Sequence, residues 1–276
     1  NSLLLYHGLG TGKTCSAISV AEEMRDYMKQ MGIVQRIIVV ASPNVQENFR
    51  LQLFDSRKLK QVDGLWNLRA CTGNKYLKEI NPMNMTGLSK TKVIRQIDRI
   101  INVNYLFLGY LEFANMIQRK ATMEDETPEK IRRALRSVFQ NRLIIIDEVQ
   151  NIRSTEENTT NKRVATELTR LIDNVNNIRL LLLSATPMFN SYKEIVWLVN
   201  LMNKNDRRGV IGISEVFDKK GNFLLSADGK EIGMELLQRK INGYVSFVKG
   251  ENPLTFPFRI FPNDFSPDNT FEKIAY

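Results

Sequence analysis

The 276-residue chain contains only two cysteines, Cys15 and Cys71, and a single histidine, His7. Two cysteines cannot make a disulfide framework, and one imidazole cannot anchor a multi-histidine metal centre. Reducing, intracellular surroundings fit that usage. Long apolar runs are missing as well: stretches such as 143–146 and 180–183 fall far short of the roughly 20 residues a membrane-spanning helix requires. No secretory leader is visible, and a membrane is not an expected partner. With 15 glycines, 8 prolines and 25% charged residues, the composition excludes collagen-like, low-complexity and disordered polymers. What remains is a chain, 43% hydrophobic, long enough for one large α/β domain or for a domain with a smaller appendage. It begins with Asn1 rather than Met and enters an apolar run at once, which reads as a piece of a longer polypeptide.

The short apolar runs at 3–6, 37–41, 105–108, 143–146 and 180–183 are rich in Ile, Val and Leu and hardly alternate. That pattern suits strands covered on both faces, as in a parallel sheet. Helical periodicity lies between them at 16–31, 45–54, 93–101, 128–139, 160–172 and 192–202. Alternating strand and helix predicts right-handed crossovers and a three-layer α/β sandwich over 1–204. Beyond that point the pattern changes. Turn signals at Lys220-Gly221-Asn222 and Asp228-Gly229 predict a hairpin or loops, and a helix is expected near 233–240. Pro253, Pro257, Pro262 and Pro267 then favour an extended path, so 205–276 reads as a C-terminal extension. Trp66 and Trp197 are expected in the core or an interface, and Met83 and Met85 in a polar loop near Asn81 and Pro82.

Charge is unevenly placed. The whole excess of +9 is accounted for by residues 50–142, with 18 basic against 9 acidic side chains, while 205–276 is balanced at 10 against 10. Clustered Lys and Arg gain affinity for polyanions by releasing condensed counterions, so a nucleic acid is one expected partner. Solvation of exposed helix faces, as at 128–139, accounts for the same residues without a partner.

Three motifs carry chemistry. After the first apolar run comes His7-Gly8-Leu9-Gly10-Thr11-Gly12-Lys13-Thr14-Cys15, followed by a helix. Glycines in such a turn aim successive N–H groups inward, where they and the positive end of the helix hold phosphate oxygens. Residues from Gly8 to Cys15 are therefore the expected phosphate cradle, with Lys13 on the β- and γ-phosphates and the Thr14 hydroxyl on Mg²⁺. His7 stands where the strict pattern has glycine, and Cys15 is expected to pack as a small residue behind the loop. The second motif is Asp147-Glu148-Val149-Gln150, delivered by the run 143–146 to the carboxyl edge of the sheet, where open α/β folds bind ligands. Asp147 is expected to hold Mg²⁺ and Glu148 to deprotonate the attacking water. Helix capping alone would also favour acidic residues there. The third is Ser184-Ala185-Thr186-Pro187, again at a strand end, whose hydroxyls either couple to the acidic pair or cap the next helix.

Together these residues resemble the first RecA-like lobe of superfamily 2 helicases and translocases. Gly10 to Thr14 matches motif I, Asp147 to Gln150 motif II, Ser184 to Thr186 motif III, and Ser42-Pro43 stands where motif Ia meets the nucleic-acid backbone. Ser184 to Asn190, the tail Gly243 to Pro253 and Phe256-Pro257 look more closely like the helicase-like transcription nucleoside triphosphatases of large DNA viruses, among them the poxvirus nucleoside triphosphatase I and early transcription factor families. The resemblance implies a DNA-dependent ATP hydrolase that uses Mg²⁺, with Lys13, Glu148 and Gln150 as catalytic residues and Ser184, Ala185 and Thr186 as coupling residues. It also implies a viral RNA polymerase or transcription factor as partner, and a virion or host cytoplasm as the location. Gln150 stands where many relatives carry His. Only 90 residues follow Thr186, too few for a second RecA-like lobe, so this chain is expected to hydrolyse ATP slowly alone. Two other readings stay open: a non-catalytic nucleotide-binding scaffold, and a phosphate-loop NTPase unrelated to nucleic acid.

Overall fold

A computed structural model describes residues 1–8, 10–122, 127–152, 159–188 and 191–248. Strand β1 (Ser2–His7) runs through the glycine loop into helix α1 (Lys13–Gln30), followed by β2 (Ile37–Val40) and α2 (Pro43–Leu53). A small unit follows: β3 (Leu59–Val62), β4 (Leu65–Leu68), α3 (Lys75–Ile80) and α4 (Lys90–Asn104). The chain continues through β5 (Tyr105–Leu108), α5 (Tyr110–Ala121), α6 (Pro128–Phe139), β6 (Leu143–Ile146), α7 (Thr159–Asn174), β7 (Arg179–Ser184) and α8 (Lys193–Asn205). It closes with α9 (Ile213–Val216), α10 (Ile232–Ile241) and β8 (Val245–Val248). No helix among the described residues is long and apolar enough to cross a membrane.

The central sheet has the order β5-β2-β6-β7-β1-β8, and every neighbouring pair is parallel. Parallel pairing forces each connection to cross a face of the sheet, so both faces are covered and successive side chains along one strand enter different cores. Leu4, Ile38, Val40, Ile144, Ile146 and Leu182 pack with residues of α5, α6, α7 and α8. Leu5, Ile37, Val39, Ile145 and Leu183 pack on the other side with α1, α2 and α4. This is why the runs show no polar alternation: both sets are inside. All five expected strands form, and the architecture is the α/β, three-layer RecA-like arrangement.

Two features had no counterpart in the expected strand list. The antiparallel hairpin β3–β4 turns through Asp63 and Gly64, both with positive φ (49° and 77°), the geometry that an Asp-Gly pair adopts between twisted strands. In the C-terminal stretch, β8 adds a sixth strand beside β1, while Phe217 and Phe223 bridge across the expected turn near Gly221. Helix α10 realises the helix expected at 233–240. Trp66 donates to Leu88 O at 2.7 Å, and both it and Trp197 pack against the core. The proline-rich run from Pro253 to Pro267, most of the tail signature, Leu9, Phe189 and Asn190 lie outside the described residues.

The basic stretch 50–142 is split by the sheet. Its β3-to-α4 portion lies with one core, and α5 with α6 lies with the other.

Candidate active site

Strands β6, β7 and β1 are consecutive in the sheet and parallel, so their carboxyl ends present the acidic pair, the Ser-Ala-Thr segment and the glycine loop side by side. Gly12 precedes α1 in the left-handed region, at φ 86° and ψ 22°, a conformation that costs an L side chain about 1 kcal/mol or more. That bend turns the free N–H groups of the first helical turn toward the loop. Gly10 is also left-handed, and the Thr11 hydroxyl donates to Gly8 O at 2.7 Å, closing the loop on itself.

Lys13 Nζ lies 2.8 Å from Glu148 Oε1 and 3.8 Å from Asp147 Oδ1. Residues 135 positions apart thus meet at one point. Asp147 is 3% exposed; its Oδ1 accepts from Glu148 N at 2.9 Å. Burial pushes its carboxyl above the ordinary range, Lys13 opposes the shift and the Glu148 charge adds to it. Glu148 sits at φ 48° and ψ 54°, a left-handed conformation rare outside glycine and typical of functional turns. Its Oε2 accepts from Gln150 Nε2 at 2.5 Å, and Gln150 Oε1 accepts from the Ser184 hydroxyl at 2.7 Å. Ser184 Oγ in turn accepts from Thr186 N at 3.0 Å. A continuous chain of contacts therefore runs from Lys13 through Glu148, Gln150 and Ser184 to Thr186. Of the expected coupling residues, Ser184 is linked to the acidic pair by its side chain, with Gln150 as the bridge, and Thr186 joins through its backbone N–H to Ser184.

Ser42 and Pro43 stand at the start of α2, beyond the carboxyl end of β2, so they share the edge with the other motifs. Sequence reasoning missed Tyr110, whose hydroxyl donates to Asp147 O at 2.7 Å. His7, expected in the loop, is instead the buried last residue of β1, and its Nε2 lies 3.0 Å from Ser246 Oγ, tying β1 to β8 beside the loop. Burial and the Lys13 charge hold the His7 pKa below its usual value, so a neutral ring stands next to the cradle. Tyr110 opens α5, with Gly109 between it and the end of β5, a position near a strand end that could have flagged it. Cys15 requires a correction: the small-residue packing expected for it gives way to a disulfide with Cys71, because the turn after β4 brings that sulfur to the first turn of α1.

Hard oxygen donors suit Mg²⁺, and a buried carboxylate held close to an ammonium is a place where a cation relieves a desolvation cost. Among the described residues no cluster of three or more His, Cys, Asp or Glu could hold a metal by itself. Mg²⁺ commonly takes one or two protein oxygens and completes its shell with water and phosphate. Asp147 and the Thr14 hydroxyl are the candidate donors.

The raised Asp147 carboxyl binds its proton more tightly in the folded than in the unfolded chain. Its contribution to stability is complete below the unfolded carboxylate range and is lost as pH rises through the folded value. At neutral pH, Asp147→Asn is therefore expected to raise the melting temperature of the chain, read by thermal denaturation of the wild type and the variant side by side. A lowered melting temperature would mean that the Lys13 attraction outweighs desolvation.

A family model described as an SNF2-related domain matches residues 1–239. Among curated relatives, "Putative ATP-dependent RNA helicase L377" of Acanthamoeba polyphaga mimivirus is 25% identical over 99% of this chain and 23% of its own length. "Putative ATP-dependent RNA helicase R563" of the same virus is 28% identical over 92% of this chain and 39% of its own. "Putative helicase 009L" of Frog virus 3 is 29% identical over 92% of this chain and 23% of its own. The chain thus spans between about a quarter and two fifths of the length of these relatives.

Proposed function

Since the chain belongs to the SNF2-related domain family of helicase superfamily 2, we propose that it is the ATP-hydrolysing lobe of a nucleic-acid-dependent, helicase-like translocase, with DNA as the track and viral transcription as the setting. The observation that carries this reading is the meeting of Lys13 with Asp147 and Glu148, bridged onward by Gln150 to Ser184.

In the proposed reaction the free N–H groups of the first turn of α1 and the Lys13 ammonium bind the triphosphate. Lys13 exchanges Glu148 for phosphate oxygens, and the released carboxylate faces the water in line with the γ-phosphorus. Glu148 accepts the proton as water oxygen bonds to phosphorus and the bond to ADP breaks. Mg²⁺, when bound at Asp147 and Thr14, supplies charge neutralisation of the phosphates. Gln150 keeps Glu148 oriented and passes its displacement to Ser184 and Thr186, which lie on the edge shared with Ser42 and Pro43. That path would link hydrolysis to movement on a strand. A second RecA-like lobe is the proposed partner within a longer chain, supplying an arginine to the transition state; a viral RNA polymerase or transcription factor is the proposed external partner.

The test is equilibrium binding of the full chain to single- and double-stranded DNA across a salt series. Expected is a linear fall of log K with log salt, with a slope of about 0.7 to 0.9 per phosphate neutralised. Binding absent at every salt would remove the nucleic-acid half of the reading. RNA of matched length forms the second arm, and preferential RNA binding would move the track from DNA to RNA.

A further inference from the structure

Cys15 occupies the third position of α1, directly after Thr14, and its sulfur is joined to that of Cys71 across 56 residues of sequence, with the Cα atoms 5.2 Å apart. Cys71 sits in a turn after β4 that is held from several directions. Gly73 N donates to Ala70 O at 2.9 Å, Leu68 N donates to Asn74 Oδ1 at 2.7 Å, and the Thr72 hydroxyl donates to Leu53 O, at the end of α2, at 3.0 Å. The Cys71 sulfur also lies 3.3 Å from Gln52 Oε1, an acceptor for the thiol proton once the disulfide is open. Both redox forms therefore have a partner ready at Cys71. Each cysteine is half-buried, so small reagents reach it. The thiolate form of a cysteine is the species that attacks a disulfide.

We propose that Cys15 and Cys71 form a reversible thiol–disulfide modification site built into the nucleotide cradle, closed by low-molecular-weight disulfides and opened by thiols. Its effect on nucleotide rests on the ATP-binding reading above. The Cys15 thiolate attacks one sulfur of glutathione disulfide, forming a mixed disulfide and releasing one glutathione thiolate. The Cys71 thiolate then attacks the Cys15 sulfur, forming the intramolecular bond and expelling the second glutathione thiolate. Two electrons pass from the cysteines to the reagent, and the two cysteine protons end on the two glutathione thiols.

Closure opposes nucleotide entry for a geometric reason. In the disulfide form the Thr11 hydroxyl closes the loop onto Gly8, and Lys13 is held by Glu148. On the ATP-binding reading, Lys13 exchanges Glu148 for phosphate oxygens when a triphosphate enters, so the loop that carries it must adjust. The bond from Cys15 to Cys71 ties this turn to a second one, and through Thr72 to the end of α2, so the cradle adjusts less freely.

The experiment uses the full chain, prepared with dithiothreitol or with glutathione disulfide and titrated with a fluorescent ATP analogue and Mg²⁺, with free thiols counted in parallel. Expected is the loss of both thiols in the folded protein, a roughly tenfold weaker affinity in the oxidised form, and recovery of both after dithiothreitol. In Cys71→Ser the reaction is expected to stop at a glutathione adduct on Cys15, visible in the intact mass. Two thiols that persist under oxidation, or equal affinities of the two forms, would overturn the proposal. Failure of the reduced form to bind nucleotide would instead remove the ATP reading and the control of binding with it, while the thiol count judges the disulfide separately.

Discussion

Lys13→Ala is expected to weaken ATP binding about 10- to 100-fold, the loss that follows from removing one or two charge-assisted hydrogen bonds to phosphate. Isothermal titration of the wild type and the variant with ATP and Mg²⁺ measures it directly. The same substitution acts on the fold. The Lys13 side chain is 12% exposed, Asp147 5% and Glu148 30%, so its loss leaves two neighbouring carboxylates without a counter-charge in a largely buried setting. Removing one partner of such a group costs more than the pair contributes, because the remaining charge is stranded. The variant is therefore expected to melt earlier than the wild type at neutral pH. Its deficit should shrink as pH falls, since Asp147, already raised and now deprived of the opposing ammonium, takes up a proton more readily. Unchanged ATP affinity together with a wild-type melting curve would remove Lys13 from the site.

Glu148→Gln is expected to separate binding from hydrolysis. The amide keeps the size of the side chain and can still meet Gln150, yet it cannot accept the proton of an attacking water. Phosphate release by the full chain should fall by about 10²- to 10⁴-fold, the usual worth of a positioned general base. ATP affinity should hold or rise, because one negative charge near the phosphates is gone. Long incubations with chromatographic separation of ADP detect even slow turnover. Hydrolysis at the wild-type rate would show that Glu148 only pairs with Lys13, and equal losses of binding and hydrolysis would assign it to the cradle instead.

The two predictions treat one ion pair from opposite ends. Lys13 and Glu148 satisfy each other, 2.8 Å apart. Neither can then perform its proposed role, the one on phosphate and the other on water. Exchange of the Glu148 carboxylate for phosphate at Lys13 would switch both on at once, and Gln150 is placed to register the change at Ser184.

The amino-acid sequence alone determined the five-strand core, because strands buried on both faces need unbroken apolar runs and the intervening helices need their periodic stripes. It also located the three motifs: a left-handed turn at Gly12 needs glycine, and the carboxylates and hydroxyls follow directly on apolar strands. Tertiary structure alone decided what lies next to what. Val245–Val248 is interrupted by the polar Ser246, unlike the unbroken runs of the core strands, and becomes a strand by pairing along the edge of β1. Lys13 meets Glu148 through the order in which parallel strands lie side by side, and Cys15 meets Cys71 because the turn after the separate β3–β4 hairpin packs against the start of α1. Local patterns report the conformation of a few residues, whereas contacts across 56 or 135 positions depend on loop closures and shared cores that no short window of sequence contains.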